Sequence, residues 1–154
     1  MMEIENKLRS LGFELPDPPN PVGNHVGYVR AGNVLYIGGN TGRINGERKY
    51  TGKVGDSVTV EQAYEMARNC GLNHLAVIKA ALGDLDQVDR MIKLLSYVNV
   101  APGFVDVAKV TDGESDLLVQ LWGERGQHTR ASIGVYALGG NAPVEIEMTL
   151  QVRE

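Results

Sequence analysis

Two spacings of apolar residues divide the chain into elements. Ile4, Leu8 and Leu11 recur at i, i+4 and i+7, which predicts a short helix over the first dozen residues. The run PDPPNP at 16–21 ends it, because proline lacks an N–H donor and restricts the residue before it. Residues 1–20 are therefore an N-terminal helix and a Pro-rich connector, too short to be a separate domain. GYVRAGNVLYIGGN (27–40) predicts two short strands around a tight turn. From Gly38 to Gly55 turn residues dominate, with one short edge strand expected near Lys49–Gly52.

A longer period follows. Thr59 and Gln62 have the spacing of a capping box, and Ala63, Ala67, Cys70, His74, Val77 and Ala81 form a 3.6-residue stripe. Gly83 is placed to end that helix. VDRMIKLLSYVNV (88–100) is a long strand, with Ile92, Leu94, Ser96, Val98 and Val100 on one face. Met91, Lys93, Leu95, Tyr97 and Asn99 are expected on the other. Neither face is plainly solvated, so this strand should be central. GESDLLVQLWGERG (113–126) predicts a second amphipathic helix, capped by Ser115, with Leu117, Leu118, Leu121 and Trp122 inward.

Two alternating runs close the chain. In the first, Ala131, Ile133, Val135 and Ala137 oppose Arg130, Ser132, Gly134 and Tyr136. In the second, Val144, Ile146, Met148, Leu150 and Val152 oppose Glu145, Glu147, Thr149 and Gln151. The order strand-strand, helix, strand, helix, strand-strand predicts an α+β domain over 1–154: one mixed sheet with two main helices on one face. Placing the apolar rows under the helices puts Arg130 and Glu145 together on the open face. If the last two strands form a hairpin through Leu138–Pro143, Arg130 lies opposite Gln151. It is then about 20 Å from Glu145 along the sheet, at ~3.3 Å per residue. One chain could not close both on a small ligand, whereas two neighbouring chains could.

Composition narrows the classes of function. With 154 residues the chain suits one domain, burying roughly 70% of its unfolded surface. A net charge of −4, without a basic stripe, offers no general attraction for nucleic acid. No run reaches the ~18 apolar residues of a membrane helix, and nothing at the start reads as a signal peptide. A cytoplasmic location is the expectation. A single cysteine, Cys70, excludes an intrachain disulfide framework and any Cys-rich metal cluster. IGGNTGRING lacks the Gly-Lys-Ser/Thr ending and the spacing of phosphate- or dinucleotide-binding loops. His74 and Cys70, on the inward stripe of the long helix, read as packed residues.

The C-terminal run HTRASIGVYALGGNAPVEIEMTLQV (128–152) resembles the signature of the Rid family (YjgF/RidA, reactive intermediate deaminases). That signature is Arg-x-Ser/Cys, an alternating strand, a Pro-containing turn and Val-Glu-Ile-Glu. GNHVGYVRAGNVLYIGGN is similar to the family's first hairpin, and the two helices fall where the family has them. The resemblance covers residues 20–152. It implies a chorismate-mutase-like fold and a homotrimer with a site in each inter-subunit cleft. It also implies hydrolysis of 2-aminoacrylate-type imines or enamines to 2-keto acids and ammonia, with no metal or organic cofactor.

Residue by residue, Arg130 matches the arginine that clamps the substrate carboxylate, a role suited to the bidentate guanidinium. Glu145 matches the glutamate that positions or activates water. Ser132 lines the pocket, and Gly39 lets backbone approach the ligand. His25 stands where deaminase members carry a tyrosine, and Asp112 falls near one of their asparagines. An added carboxylate beside the clamp weakens binding of an anion unless a cation offsets it. Those departures leave open a second reading, a non-catalytic carboxylate-binding or regulatory trimer. Without the motif, Arg130 reads as an interface ion pair and Glu145 as a sheet-face carboxylate. The older family label of endoribonuclease or translation inhibitor fits poorly with the charge and with only three histidines.

Overall fold

The computed structural model describes residues 2–154. Its elements are α1 (Glu3–Ser10), β1 (Tyr28–Ala31), β2 (Val34–Asn40), α2 (Val60–Leu82), β3 (Val88–Asn99), α3 (Val107–Trp122), β4 (Thr129–Val135) and β5 (Val144–Val152). The strands make one sheet in the order β1-β2-β5-β3-β4, with β3 and β4 parallel and the other pairs antiparallel. It is the mixed α+β sheet that the alternation of periods predicts, with β3 internal. Leu35, Ile37, Leu94, Ile146 and Leu150 project from it onto Met66, Leu75 and Ile78 of α2 and Leu117, Leu118 and Leu121 of α3, all buried.

Helix α2 begins at the expected capping box: Thr59 Oγ1 accepts from the Gln62 N–H (3.1 Å) and Gln62 Oε1 from the Thr59 N–H (3.0 Å). It ends at Gly83, whose φ of 83° suits glycine. Helix α1 is tied down from outside, since Asp86 accepts the N–H groups of Glu3 and Ile4, each at 2.9 Å. Lys79 meets Glu5 at 2.5 Å, and Ile4 and Leu8 are buried.

Helix α3 starts at Val107, well before Ser115, so Ser115 lies inside the helix rather than capping it. Gly113 looks like a helix stop in sequence, but a Cβ there would overlap the Tyr64 carbonyl oxygen, so it is the point where α3 crosses α2 closely. The expected edge strand near Lys49–Gly52 does not form. That region carries only isolated bridges, Ile44 with Glu47 and Val54 with Val58 and Val100.

Three further expectations fail together. Strands β4 and β5 do not form a hairpin, because β3 lies between them. Their link crosses the end of β3, where Asn99 bonds the carbonyls of Pro143 (2.9 Å) and Ala142 (3.1 Å) and the side chain of Asn141 (3.0 Å). A hairpin loop is usually two to five residues, and this link is longer. Strand β3 also shifts register between Val88 and Arg90 and between Met91 and Lys93, so Met91 turns into the core with Leu94 rather than to the open face.

The third failure concerns β4. Its parallel register sets Arg130 beside Leu94, Ser132 beside Ser96 and Gly134 beside Val98. Partners across a ladder share a face, so Arg130 and Ser132 point toward the helices, and Ile133 toward the open side. The apolar row was expected inward. At this sheet edge the flank of α3 offers Thr111 and Asp112, and those polar groups draw the polar row.

Candidate functional site

Around the β4 edge, a polar chain ties strand to helix. Arg130 Nη1 donates to Asp112 Oδ1 (2.7 Å) and to Ser115 Oγ (3.1 Å). Ser115 Oγ lies 2.9 Å from His128 Nε2, and His128 Nδ1 lies 2.7 Å from the Gly126 carbonyl. A carbonyl only accepts, so Nδ1 carries the proton of neutral His128 and Nε2 accepts from the Ser115 hydroxyl. Ser132 Oγ donates to Thr111 Oγ1 and Thr111 Oγ1 to Ser96 Oγ, both at 2.8 Å. Arg130, Asp112 and Ser132 are thus brought together as the sequence suggested, but on the helix side.

Glu145 belongs to the other face. It stands beside Tyr97 of β3 and against Gly39, where β2 shifts register between Ile37 and Asn40. A Cβ at Gly39 would lie 2.6 Å from Glu145 Oε2, so glycine there makes room for the carboxylate. Glu145 is half-buried, and burial, with the charge of Glu147 second, raises its pKa above the ordinary 4.5. A carboxylate whose proton affinity is raised is suited to take a proton from water.

Within one chain Arg130 and Glu145 do not meet. Arg130 flanks Leu94 and Glu145 flanks Tyr97, so they are two strands and three residues apart, roughly 14 Å on standard sheet spacings. They also lie on opposite faces. The separation persists although the hairpin that first suggested it is absent.

His25 and Gly39 share a pocket of about 220 Å³ under residues 19–27, with Asn40, Arg43, His74 and Val77 among its walls. None of these four walls was singled out as a site residue in sequence. His74 is fully buried, as its place on the α2 stripe predicted, and its Nδ1 lies 2.5 Å from Glu114 Oε1. Burial pushes the imidazole toward neutrality; Glu114, with backbone of Gly38 and Ile146 alongside, outweighs this and raises its pKa. Glu114 Oε2 is buried without a hydrogen-bond partner. The available signal was Glu114 itself, a carboxylate on the inward row of α3, three and four residues before Leu117 and Leu118. Cys70 is buried beside the same cluster and donates to the Asn40 carbonyl at 3.1 Å.

Among the described residues no three His, Cys, Asp or Glu side chains converge to hold a metal, and no helix is long and apolar enough to cross a membrane. The family model described as "YjgF/chorismate_mutase-like, putative endoribonuclease" matches residues 5–142. The chain belongs to the YjgF/RidA family. Relatives in and around that family reproduce its full length. Protein TCP17 of Trypanosoma cruzi is 37% identical over 97% of this chain and 94% of its own. A crystal structure of a protein of unknown function from Agrobacterium tumefaciens is 40% identical, with a TM-score of 0.91 over 97% of this chain and 92% of that one. One from Shewanella oneidensis, called a "putative endoribonuclease", is 29% identical, with a TM-score of 0.93 over 97% and 99%. A YjgF/RidA fold therefore carries both candidate groups, the Arg130 edge and the Glu145–Gly39 face.

Proposed function

We propose that this protein is a cytoplasmic enamine/imine deaminase, hydrolysing 2-aminoacrylate-type intermediates to 2-keto acids and ammonia in a homotrimer. The observation that carries it is the half-buried Glu145 carboxylate, seated against Gly39 with its pKa raised. In this reading Arg130 of one subunit holds the substrate carboxylate and Glu145 of the next handles the water. Protonation at C3 of the enamine gives the imine. Water then adds to C2, giving up a proton to Glu145. Glu145 returns a proton to nitrogen as the C–N bond breaks, and ammonia leaves as the C2 carbonyl forms, the hydroxyl proton passing to solvent in exchange for the one taken from solvent at C3. One water is consumed per ammonia released.

Two features support the inter-subunit arrangement. Arg130 and Glu145 lie on opposite faces of one sheet, so a small ligand needs each from a different chain. The open face also exposes Val29, Tyr36 and Ile133, apolar surface of the kind that partner subunits cover. Coupling the purified protein to an enzyme that generates 2-aminoacrylate, and timing pyruvate release, tests the activity. Acceleration lost in Arg130→Ala is expected; a rate equal to buffer across several amino-acid-derived imines would refute it.

A second reading, a non-catalytic sensor of small carboxylates, is favoured by one contact. Arg130 is already engaged by Asp112 at 2.7 Å. Ligand-dependent stabilisation without turnover, lost in Arg130→Ala, would support that reading over the first.

A further inference from the structure

We propose that Ser115 and His128 form a nucleophile–base pair that cleaves small uncharged carboxylic esters through an acyl-serine intermediate. This activity uses neither Glu145 nor a second chain, and it goes beyond the inter-subunit reading.

Ser115 is oriented unlike an ordinary helix serine. Such a hydroxyl often bonds back to the carbonyl four residues earlier, as Thr111 does with Val107 (3.4 Å). Ser115 instead turns to the β4 edge, where its Oγ lies 2.9 Å from His128 Nε2. The Nδ1–H of neutral His128 is engaged by the Gly126 carbonyl at 2.7 Å, so Nε2 is the basic nitrogen and it faces the hydroxyl. A nucleophile within reach of a base, with the base held by a third group, is the arrangement that activates serine. The anchor is rigid. A β-carbon at Gly126 would overlap the Leu118 carbonyl oxygen, so the turn that carries the anchor is pressed onto α3 three residues beyond Ser115.

Charge and shape define the substrate. Arg130 Nη1 donates to Ser115 Oγ at 3.1 Å, so a positive charge stands beside the attacking atom, where negative charge develops. Asp112 offsets that charge at 2.7 Å, so no net charge is left to select an anion. His128 also walls a shallow groove of about 450 Å³ with Met91, Ile92 and Thr129, room for a small acyl or alcohol group. Ser115 and His128 are each half-buried, so a reagent can reach them. Ser115 Oγ adds to the ester carbonyl carbon while its proton passes to His128 Nε2. The ester C–O bond breaks, and His128 hands that proton to the departing alcohol. Water then adds to the acyl carbon and gives a proton to His128, which returns it to Ser115 Oγ as the acid leaves. One water is consumed per ester cleaved.

The test traps the acyl-serine. Full-length protein is mixed with p-nitrophenyl acetate, nitrophenol release is timed, and intact mass is recorded after acid quenching. A fluorophosphonate probe is applied in parallel, and the labelled peptide is mapped. One adduct per chain is expected, on Ser115, in native protein and not in urea-unfolded protein. Ser115→Ala should abolish the adduct, and His128→Gln should slow both reactions about a hundredfold or more. Circular dichroism checks that each variant is folded. Labelling of the wild-type chain locates the nucleophile by itself, so the outcome does not hang on a variant that loses the fold. Nitrophenol release no faster than buffer, an adduct on any other residue, or equal reaction rates in folded His128→Gln would overturn the proposal.

Discussion

Glu145 and Gly39 are fitted to each other: the carboxylate occupies the space that a β-carbon at position 39 would need, 2.6 Å from Oε2. Gly39→Ala must therefore move Glu145 or bend β2. Overpacking of this kind typically costs ~1–3 kcal/mol. The expected result is a folded protein with a lower Tm and a loss of turnover larger than the change in KM. Calorimetry and deaminase kinetics on the same preparation check it. Unchanged turnover would show that the position of Glu145 is irrelevant to the chemistry.

Asp112 competes with any anion for Arg130. The pair is partly exposed, at 24% and 45% for the two side chains, so it contributes little to stability, of the order of 0–1 kcal/mol. Asp112→Asn should leave the melting temperature nearly unchanged while lowering KM for an anionic substrate by about tenfold. An unchanged KM would mean that Arg130 does not meet the substrate.

A carboxylate acts as a base only when ionised, so the proposed role of Glu145 carries a pH signature. Its pKa is raised, so the acid limb of kcat/KM should lie above the ordinary 4.5, with activity falling as pH falls through it. Glu145→Gln should remove that limb together with most of the rate. The stability sign is the opposite. The folded state holds the proton more tightly, so the contribution is present at low pH and lost as pH rises through the raised value.

The buried His74–Glu114 pair stabilises only as a pair. His74→Leu leaves Glu114 unpaired in the core and should cost about 3–5 kcal/mol, much of it recovered in the double change with Glu114→Leu. Its raised pKa favours the fold when His74 is protonated. That stability is complete below about 6.5 and is lost as pH rises through the folded value. Melting temperatures of wild type and double variant across that range should diverge in slope. Parallel slopes would place the proton elsewhere.

Periodicity recovered most of this fold because burial and period coincide along α2, β2 and β5, where every second or every third-to-fourth residue meets the core. It failed at β4, where the neighbouring helix flank is itself polar and the hydrophobic row faces outward. It failed at Met91, because a bulge changes which residues share a face and leaves no mark in composition. The proximity of Arg130, Asp112 and Ser132 was legible through family resemblance. The His74–Glu114 contact was not, since forty positions separate the partners and nothing local in the sequence links them.

The place of β5 has a consequence for how the molecule comes into being. Of the five strands, β5 is made after the others, and it is the one that joins β2 to β3. Until it arrives, the chain can assemble a β1–β2 ribbon and a β3–β4 ribbon, each with an open edge, but no continuous sheet. Glu145 enters on that same strand. Closure of the sheet and completion of the Glu145–Gly39 face are thus a single late event in synthesis. A chain that stops before β5 forfeits both, and exposes two sticky strand edges to its neighbours.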